Sequence, residues 1–227
     1  MKDIIVKPGD VFAAGPHRFM CGDIEKDDVC KLLDIPKRIH MVYSDPPWNP
    51  GNARMWRTLS KIDGETGREV EWNNFINRFC VTANQPHPNH IFVEMGVGQS
   101  SHFISLTTNT GFPQFKREWN VFYNYTHPNK LLYFSDINGF TGNPDGLKNE
   151  PMTKYVFEHI YKQGEIVFDP CAGLGMTARM AHRFGMIFYG NELNPFRLKK
   201  TLLWMSKYYD IIKFKSTPRN RFKRIKF

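Results

Sequence analysis

Glu165-Ile166-Val167-Phe168-Asp169-Pro170-Cys171-Ala172-Gly173-Leu174-Gly175, followed by Met176 to Phe184 and then by Met186 to Glu192, is the stretch that decides the fold. A short apolar run bounded by Pro and Gly reads as a buried strand, the next segment has helical spacing, and a second apolar run returns. That order is a β-loop-α-β unit and puts the chain in the α/β class. Glycines at a strand-to-helix turn let a ligand approach the backbone closely. An acid about 20 positions on, at the end of the next strand, accepts both hydroxyls of a ribose. Glu192 is that acid. A tight turn alone also explains such glycines, so the weight rests on the strand before them, the helix after them and Glu192. The third glycine of phosphate-binding turns is missing, and Asp169 adds a negative charge at the head of the loop.

Working outward, Val11-Phe12-Ala13-Ala14 and Arg18-Phe19-Met20-Cys21 read as two short strands around Gly15-Pro16-His17. A short helix follows within Glu25 to Leu33, capped by Asp23 or Asp27. Ile39 to Tyr43 is a buried strand that stops at Ser44-Asp45-Pro46-Pro47. Asn49 to Val70 is polar and basic without periodicity and reads as a mobile loop over 49–71 carrying Arg54, Arg57, Lys61 and Arg68. Trp72 to Ala83 reads as a helix, His90 to Glu94 as a buried strand, and Ser101 to Thr108 as a helix. Trp119 to Tyr125 and Leu131 to Phe134 read as strands, and Met152 to Tyr161 as a helix. His87-Pro88-Asn89-His90, flanked by prolines and without a cysteine or carboxylate at zinc-site spacing, reads as a loop rather than a metal pair.

Asp45-Pro46-Pro47-Trp48 stands where a buried strand ends, the place where open α/β sheets keep their ligand crevices. An exposed turn with a buried tryptophan is the bland alternative. The chemical reading gives each residue a task. The exocyclic amino nitrogen of adenine is a poor nucleophile, because its lone pair is delocalised into the ring. Two acceptors, the Asp45 carboxylate and the Pro46 carbonyl, each taking one amino hydrogen, favour a tetrahedral nitrogen. Pro46 and Pro47 hold those acceptors stiffly and bring no competing N–H. Trp48 offers a π-face to a base that has left its stack, worth about 1–3 kcal/mol. A cofactor with a cationic sulfonium tolerates the negative charge of Asp169.

Composition bounds the rest. A chain of 227 residues fits one α/β domain burying roughly 70% of its unfolded surface. No run of about 18 apolar residues is present, and the N-terminal Met1 to Val6 lacks the features of a secretory signal. The expected partners therefore exclude membrane, and the expected location is the cytoplasm of a bacterial or phage-infected cell. The four cysteines (Cys21, Cys30, Cys80 and Cys171) are scattered, so we expect reduced thiols and no metal. The net charge of +9, concentrated in a basic tail over 213–227, points to a polyanion, although a basic terminus alone is often merely solvated.

Taken together, the motifs resemble the β-class amino-methyltransferases, DNA adenine enzymes in which the Asp-Pro-Pro-aromatic tetrad precedes the Gly-rich cofactor motif. Here Asp45 to Trp48 precedes Asp169 to Gly175. Gly9-Asp10-Val11, His17 to Asp23 and Phe188 to Pro195 extend the likeness over most of the chain. The resemblance implies a doubly wound, mostly parallel sheet of the Rossmann-like methyltransferase type with permuted motif order, in a single catalytic domain over 1–227. It implies S-adenosylmethionine as cofactor, Asp23 near its adenine, Glu192 at its ribose and Leu193 against its adenine ring. Asp169, Gly173 and Gly175 fall near its methionine part, with Pro170, Cys171 and Thr177 in the same pocket. Asp45, Pro46, Pro47 and Trp48 become the catalytic tetrad, and Arg54, Arg57, Lys61 and Arg68 the nucleic-acid contacts.

Three departures stand out. Glu150-Pro151 replaces the family's Lys-Pro pair, leaving the cofactor's carboxylate to Lys148, Asn149 or Thr153. Cys171 and Leu174 replace the usual phenylalanine and serine. Little chain remains for a separate target-recognition domain, which makes a homodimer plausible. The expected activity is methyl transfer to adenine N6 in DNA. RNA adenosine is the second substrate class, and a weak nucleic-acid-binding relative is the non-catalytic alternative. Cytosine enzymes of this kind generally carry serine where Asp45 stands.

Overall fold

The computed structural model describes residues 4–60, 72–108, 110–123, 127–137, 139–215 and 223–224. Along them run β1 (Val11–Ala14), β2 (His17–Cys21), α1 (Val29–Leu32), β3 (Ile39–Ser44), α2 (Pro50–Ser60), α3 (Trp72–Asn84) and β4 (Pro88–Gly96). Then come α4 (Ser100–Thr107), β5 (Phe115–Phe122), β6 (Pro128–Phe134), α5 (Asn149–Ile160), β7 (Ile166–Asp169), α6 (Met176–Arg183) and β8 (Ile187–Glu192). The chain closes with α7 (Pro195–Met205), β9 (Ile211–Lys215) and β10 (Lys223–Arg224).

All the strands join one sheet in the order β10-β9-β1-β2-β8-β7-β3-β4-β6-β5. Its middle, β2-β8-β7-β3-β4, is parallel, and both flanks are antiparallel. Side-chain alternation splits the core into two layers. Met41 and Tyr43 of β3, Val167 of β7 and Phe188 of β8 pack with Val156, Phe157, Met180, Leu198 and Leu202, from α5, α6 and α7. Val42 and Phe168 point the other way and pack with Val29, Phe75, Ile76, Phe79 and Phe103, from α1, α3 and α4. Helices thus cover both faces, which explains why β7 and β8 read as near-continuous apolar runs. This is the doubly wound sheet of the sequence reading. From β7 the chain passes through α6 to β8 on one side, whereas β3 leads to β4 on the other. The strand order therefore reverses between β7 and β3, and their carboxyl ends open a crevice there.

Several elements differ from the sequence reading. Residues 50–60 are not a loop but α2. Asn49 Oδ1 accepts from the Asn52 N–H at 2.9 Å, so Asn49 caps the helix and Pro50 opens it. Polar composition hid this helix; Lys61 to Glu71, with Lys61 and Arg68, lie outside the described residues. Asp28, rather than Asp23 or Asp27, caps α1 by accepting from the Lys31 N–H. The stretch from Pro88 belongs to β4, and His90 is buried in it beside the Tyr133 hydroxyl. The basic tail begins as sheet, because Ile211, Ile212 and Phe214 pair with β1, while Lys213 binds Asp10 at 2.5 Å. Sequence reading does not reach α7, although Asn194-Pro195 spells its start. Asn194 Oδ1 accepts from the Phe196 and Arg197 N–H groups.

Candidate active site at the carboxyl edge of the parallel strands

Each strand of the parallel block ends in, or just beside, a carboxylate: Asp23 after β2, Glu192 on β8, Asp169 on β7, Asp45 after β3 and Glu94 on β4. The ladder registers put them along one rim, since Cys21 pairs with Glu192, Asp169 with Gly190, and Ser44 with Val93. The two halves of the site predicted from sequence are therefore brought together. Asp45 and Glu192 stand on that rim on either side of Asp169, and both feel the charge of Arg197.

Asp169 organises the middle. Its Oδ1 accepts from the Ser44 hydroxyl at 2.7 Å and the Cys171 N–H at 3.0 Å, and its Oδ2 accepts from the Thr177 hydroxyl at 2.6 Å. These bonds tie β7 to β3 and to the start of α6. Burial raises its pKa to about 6 against the pull of those donors. Thr177, itself buried, spends its hydroxyl on Asp169. Cys171 is a free thiol held strongly protonated by burial and by the neighbouring acids, Asp169 first, so it is no nucleophile. The Pro170 carbonyl accepts from Asn191 Nδ2 and is fixed.

The Gly-rich turn is built for close approach. Gly173 and Gly175 have φ of +57° and +77°, which glycine adopts at little cost. A Cβ on Gly175 would lie 2.4 Å from Thr201 of α7. Glu192 accepts from the Gly173 N–H at 2.6 Å on Oε2 and from the Asn194 N–H at 2.8 Å on Oε1, so the acid pins the turn it faces. Burial raises its pKa to about 7, with Arg197 opposing. Each oxygen keeps a second lone pair for a ligand hydroxyl. Leu193 is half-buried beside it, and its carbonyl faces the Cys21 thiol.

At the other half, Trp48 Nε1 donates to Asp45 Oδ1 at 2.7 Å. That bond orients the carboxylate and leaves Oδ2 without a donor among the described residues. Protein packs densely around Asp45 and pushes its pKa up to about 7, the Trp48 bond opposing. The side chain keeps an open face to water, through which Asp45 can exchange a proton. The Trp48 ring lies edge-on to Tyr123, with centroids 5.5 Å apart, and a Cβ on Gly96 would come 3.1 Å from its Cβ. Pro46 is buried, Pro47 half-buried, and no described N–H takes the Pro46 carbonyl.

Three residues were not anticipated from sequence. Glu94 is buried and accepts from the Tyr43 hydroxyl at 2.9 Å and from Asn129 Nδ2 at 3.2 Å. Burial, then the nearby Asp45, holds it well above the usual carboxylate range. A lone acid inside the apolar run Ile91 to Met95 was the available signal. Tyr43 also reaches Thr153 Oγ1, at 3.3 Å. Arg197, the third, is half-buried near the start of α7.

The basic residues fare differently. Arg54 is exposed on α2. Arg57 is turned inward: it pairs with Asp23 at 2.9 Å and Glu25 at 2.6 Å, and only 14% of its side chain is exposed. Its charge is thus engaged within the protein rather than presented to phosphates. Asp23, read as a ligand group, is held by that pair and by the Glu25 N–H. Helix α2 therefore lies across the crevice, fastened by Arg57 at one point and by Trp56 against Arg197 at another. An open hollow of about 590 Å³ lined by Ala13, Arg18 and Tyr209 lies at the far flank, away from the acids.

Comparison with known proteins agrees on the fold. No family model matches the chain, and no curated protein does. Among solved structures, TTHA0409 of Thermus thermophilus, assigned as a DNA modification methylase, superposes with a TM-score of 0.62 at 15% identity, covering 85% of this chain and 96% of that one. M1.HpyAVI gives 0.58 at 13%, covering 83% and 98%. The cytosine-N4-specific PvuII DNA methyltransferase gives 0.58 at 13%, covering 91% and 89%. Both M1.HpyAVI and TTHA0409 are also known in complex with S-adenosylmethionine. At these identities the likeness establishes a shared fold, the Rossmann-like α/β sheet of methyltransferases. Among the described residues no helix is long and apolar enough to cross a membrane.

Proposed function

We propose that the chain is an S-adenosylmethionine-dependent DNA methyltransferase that modifies the N6 amino group of adenine. The observation that carries this reading is the shared carboxyl rim, on which Asp45, oriented by Trp48 and open at Oδ2, follows β3 while Glu192, tied to the Gly-rich turn, ends β8, with Asp169 of β7 between them. The residues fit the cofactor. Glu192 has lone pairs for the ribose, glycines at positive φ admit a ligand against the backbone, and the acids favour a cation. Gly173, Gly175, Glu192 and Leu193 would hold it, with Asp169, Cys171 and Thr177 shaping the turn beneath. When bound, the cofactor supplies an electrophilic methyl on a positively charged sulfur.

This chain's own residues would do the rest. Asp45 Oδ2 and the Pro46 carbonyl take the two amino hydrogens, which localises the nitrogen lone pair toward the methyl group. With the methyl donor bound, Asp45 would take the surplus amino proton and pass it to water through its exposed face. Trp48 stacks on the extruded base. Positioning and electrostatics supply the rate, and no covalent enzyme intermediate forms. DNA is the preferred polymer because TTHA0409 and the PvuII enzyme, of the same fold, are named as DNA enzymes, and adenine is preferred over cytosine because Asp45 stands where cytosine enzymes of this kind generally carry serine. Arg54, the basic tail, Lys61 and Arg68 are the proposed phosphate contacts, and a homodimer would add a second surface for target recognition.

The test is methyl transfer from tritiated cofactor to DNA and, in parallel, to RNA. Label in DNA with none in RNA supports the reading, and label confined to RNA shifts the substrate class. An Asp45→Ala protein as active as the wild type removes Asp45 from the mechanism.

A further inference from the structure

Arg197 is the cation that faces both halves of the crevice, and its own side chain lacks an ionic partner among the described residues. Its guanidinium carbon lies 4.1 Å from the centroid of the Trp56 ring on α2. One terminal nitrogen comes so near the Gly-rich turn that a Cβ on Gly173 would sit 2.8 Å from it. Asp45 and Glu192 both feel its charge from beyond contact distance. Its Nε is buried without an acceptor, and no described carboxylate pairs with it. A guanidinium stacked on an indole is held flat, with its edge donors in the fork that matches a carboxylate. Glu150 is exposed and acidic, Thr153 is bonded to Tyr43, and Arg57 is taken by Asp23 and Glu25.

We propose that Arg197 is the anchor for a ligand carboxylate at this site, namely the α-carboxylate of the cofactor's methionine part. The inference rests on the cofactor reading above and adds to it the group that replaces the Lys-Pro pair lost at Glu150-Pro151. The acids of the rim and Arg197 then divide a zwitterion between them, the ammonium and sulfonium facing carboxylates and the carboxylate facing the guanidinium. Trp56 is a positioning residue, since it acts only through the plane of Arg197.

Calorimetry separates this role from others. Two ligands are titrated, S-adenosylhomocysteine and its decarboxylated analogue, which keeps the amine. The wild type is expected to prefer the carboxylate-bearing ligand by about tenfold to a hundredfold. Arg197→Gln should bind both ligands alike, at the level the wild type shows for the analogue, and Arg197→Lys should recover part of the preference. A preference undiminished in Arg197→Gln overturns the proposal. So does an equal loss for both ligands in both variants, which would make Arg197 a strut between α7 and α2. If neither ligand binds the wild type, the cofactor reading itself fails and takes this proposal with it.

Discussion

Asp45 shows most directly how the surroundings set a residue's chemistry. Trp48 holds one of its oxygens, the other is open, and the packed rim raises its pKa to about 7. Methyl transfer should therefore climb with pH as Asp45 ionises, with a midpoint above the usual carboxylate range, and a pH–rate profile of single turnovers checks it. Asp45→Ala should lower the rate by about a thousandfold, the scale of losing one preorganised catalytic group, while cofactor binding survives. Glu94 answers a different question. Removing its carboxyl by Glu94→Leu strands the Tyr43 hydroxyl and Asn129 in the core, which should cost about 1–3 kcal/mol in urea unfolding. Glu94→Gln, which can still accept from Tyr43, should cost less.

At the scale of elements, α2 is the piece that sequence reading placed least well and the one nearest the crevice. Its Asn49-Pro50 start follows the same rule as Asn194-Pro195 of α7, yet a polar sequence with few apolar anchors masks the first helix, and the second begins directly after the cofactor motif with no loop to set it apart. Strands were more legible. Ile39 to Tyr43 and Ile166 to Asp169 are buried on both faces, so their apolar runs survive any detail of packing. Both motifs were legible because prolines and glycines fix backbone where strands end. Glu94 and Arg197 were not, because their importance comes from what the fold sets beside them. Arg57 was misjudged for the same reason: a surface charge in sequence became a bridge to Asp23 in the structure. Breaking that bridge with Arg57→Ala should loosen α2, speeding its amide exchange. It leaves Asp23 and Glu25 without this partner, and cofactor association should quicken if α2 must move for entry.

Over the whole molecule, the row of raised acids ties stability to pH. Asp169 and Glu192, raised to about 6 and 7, bind protons more tightly folded than unfolded, where carboxylates titrate near about 4. The stability they contribute is full below the unfolded value and is lost as pH rises through 6 to 7. The urea midpoint should therefore fall between about pH 5 and pH 8. A cation settling among the acids reverses that loss, so S-adenosylmethionine should gain on its neutral-sulfur product as pH rises, which paired titrations would show. The net charge of +9 acts at the same scale. Raising salt from about 50 to 200 mM should weaken DNA binding by roughly tenfold or more, by counterion release.

In the proposed function, one carboxylate beside one tryptophan, at the point where the sheet reverses its order, directs a methyl group to adenine. The most direct measurement incubates the purified protein with S-adenosylmethionine and unmodified DNA, digests the DNA to nucleosides and identifies the product by mass spectrometry. N6-methyldeoxyadenosine is expected, formed about a thousandfold more slowly when Asp45→Ala replaces the wild type. N4-methyldeoxycytidine in its place, or N6-methyldeoxyadenosine formed equally well by the variant, contradicts the proposed function.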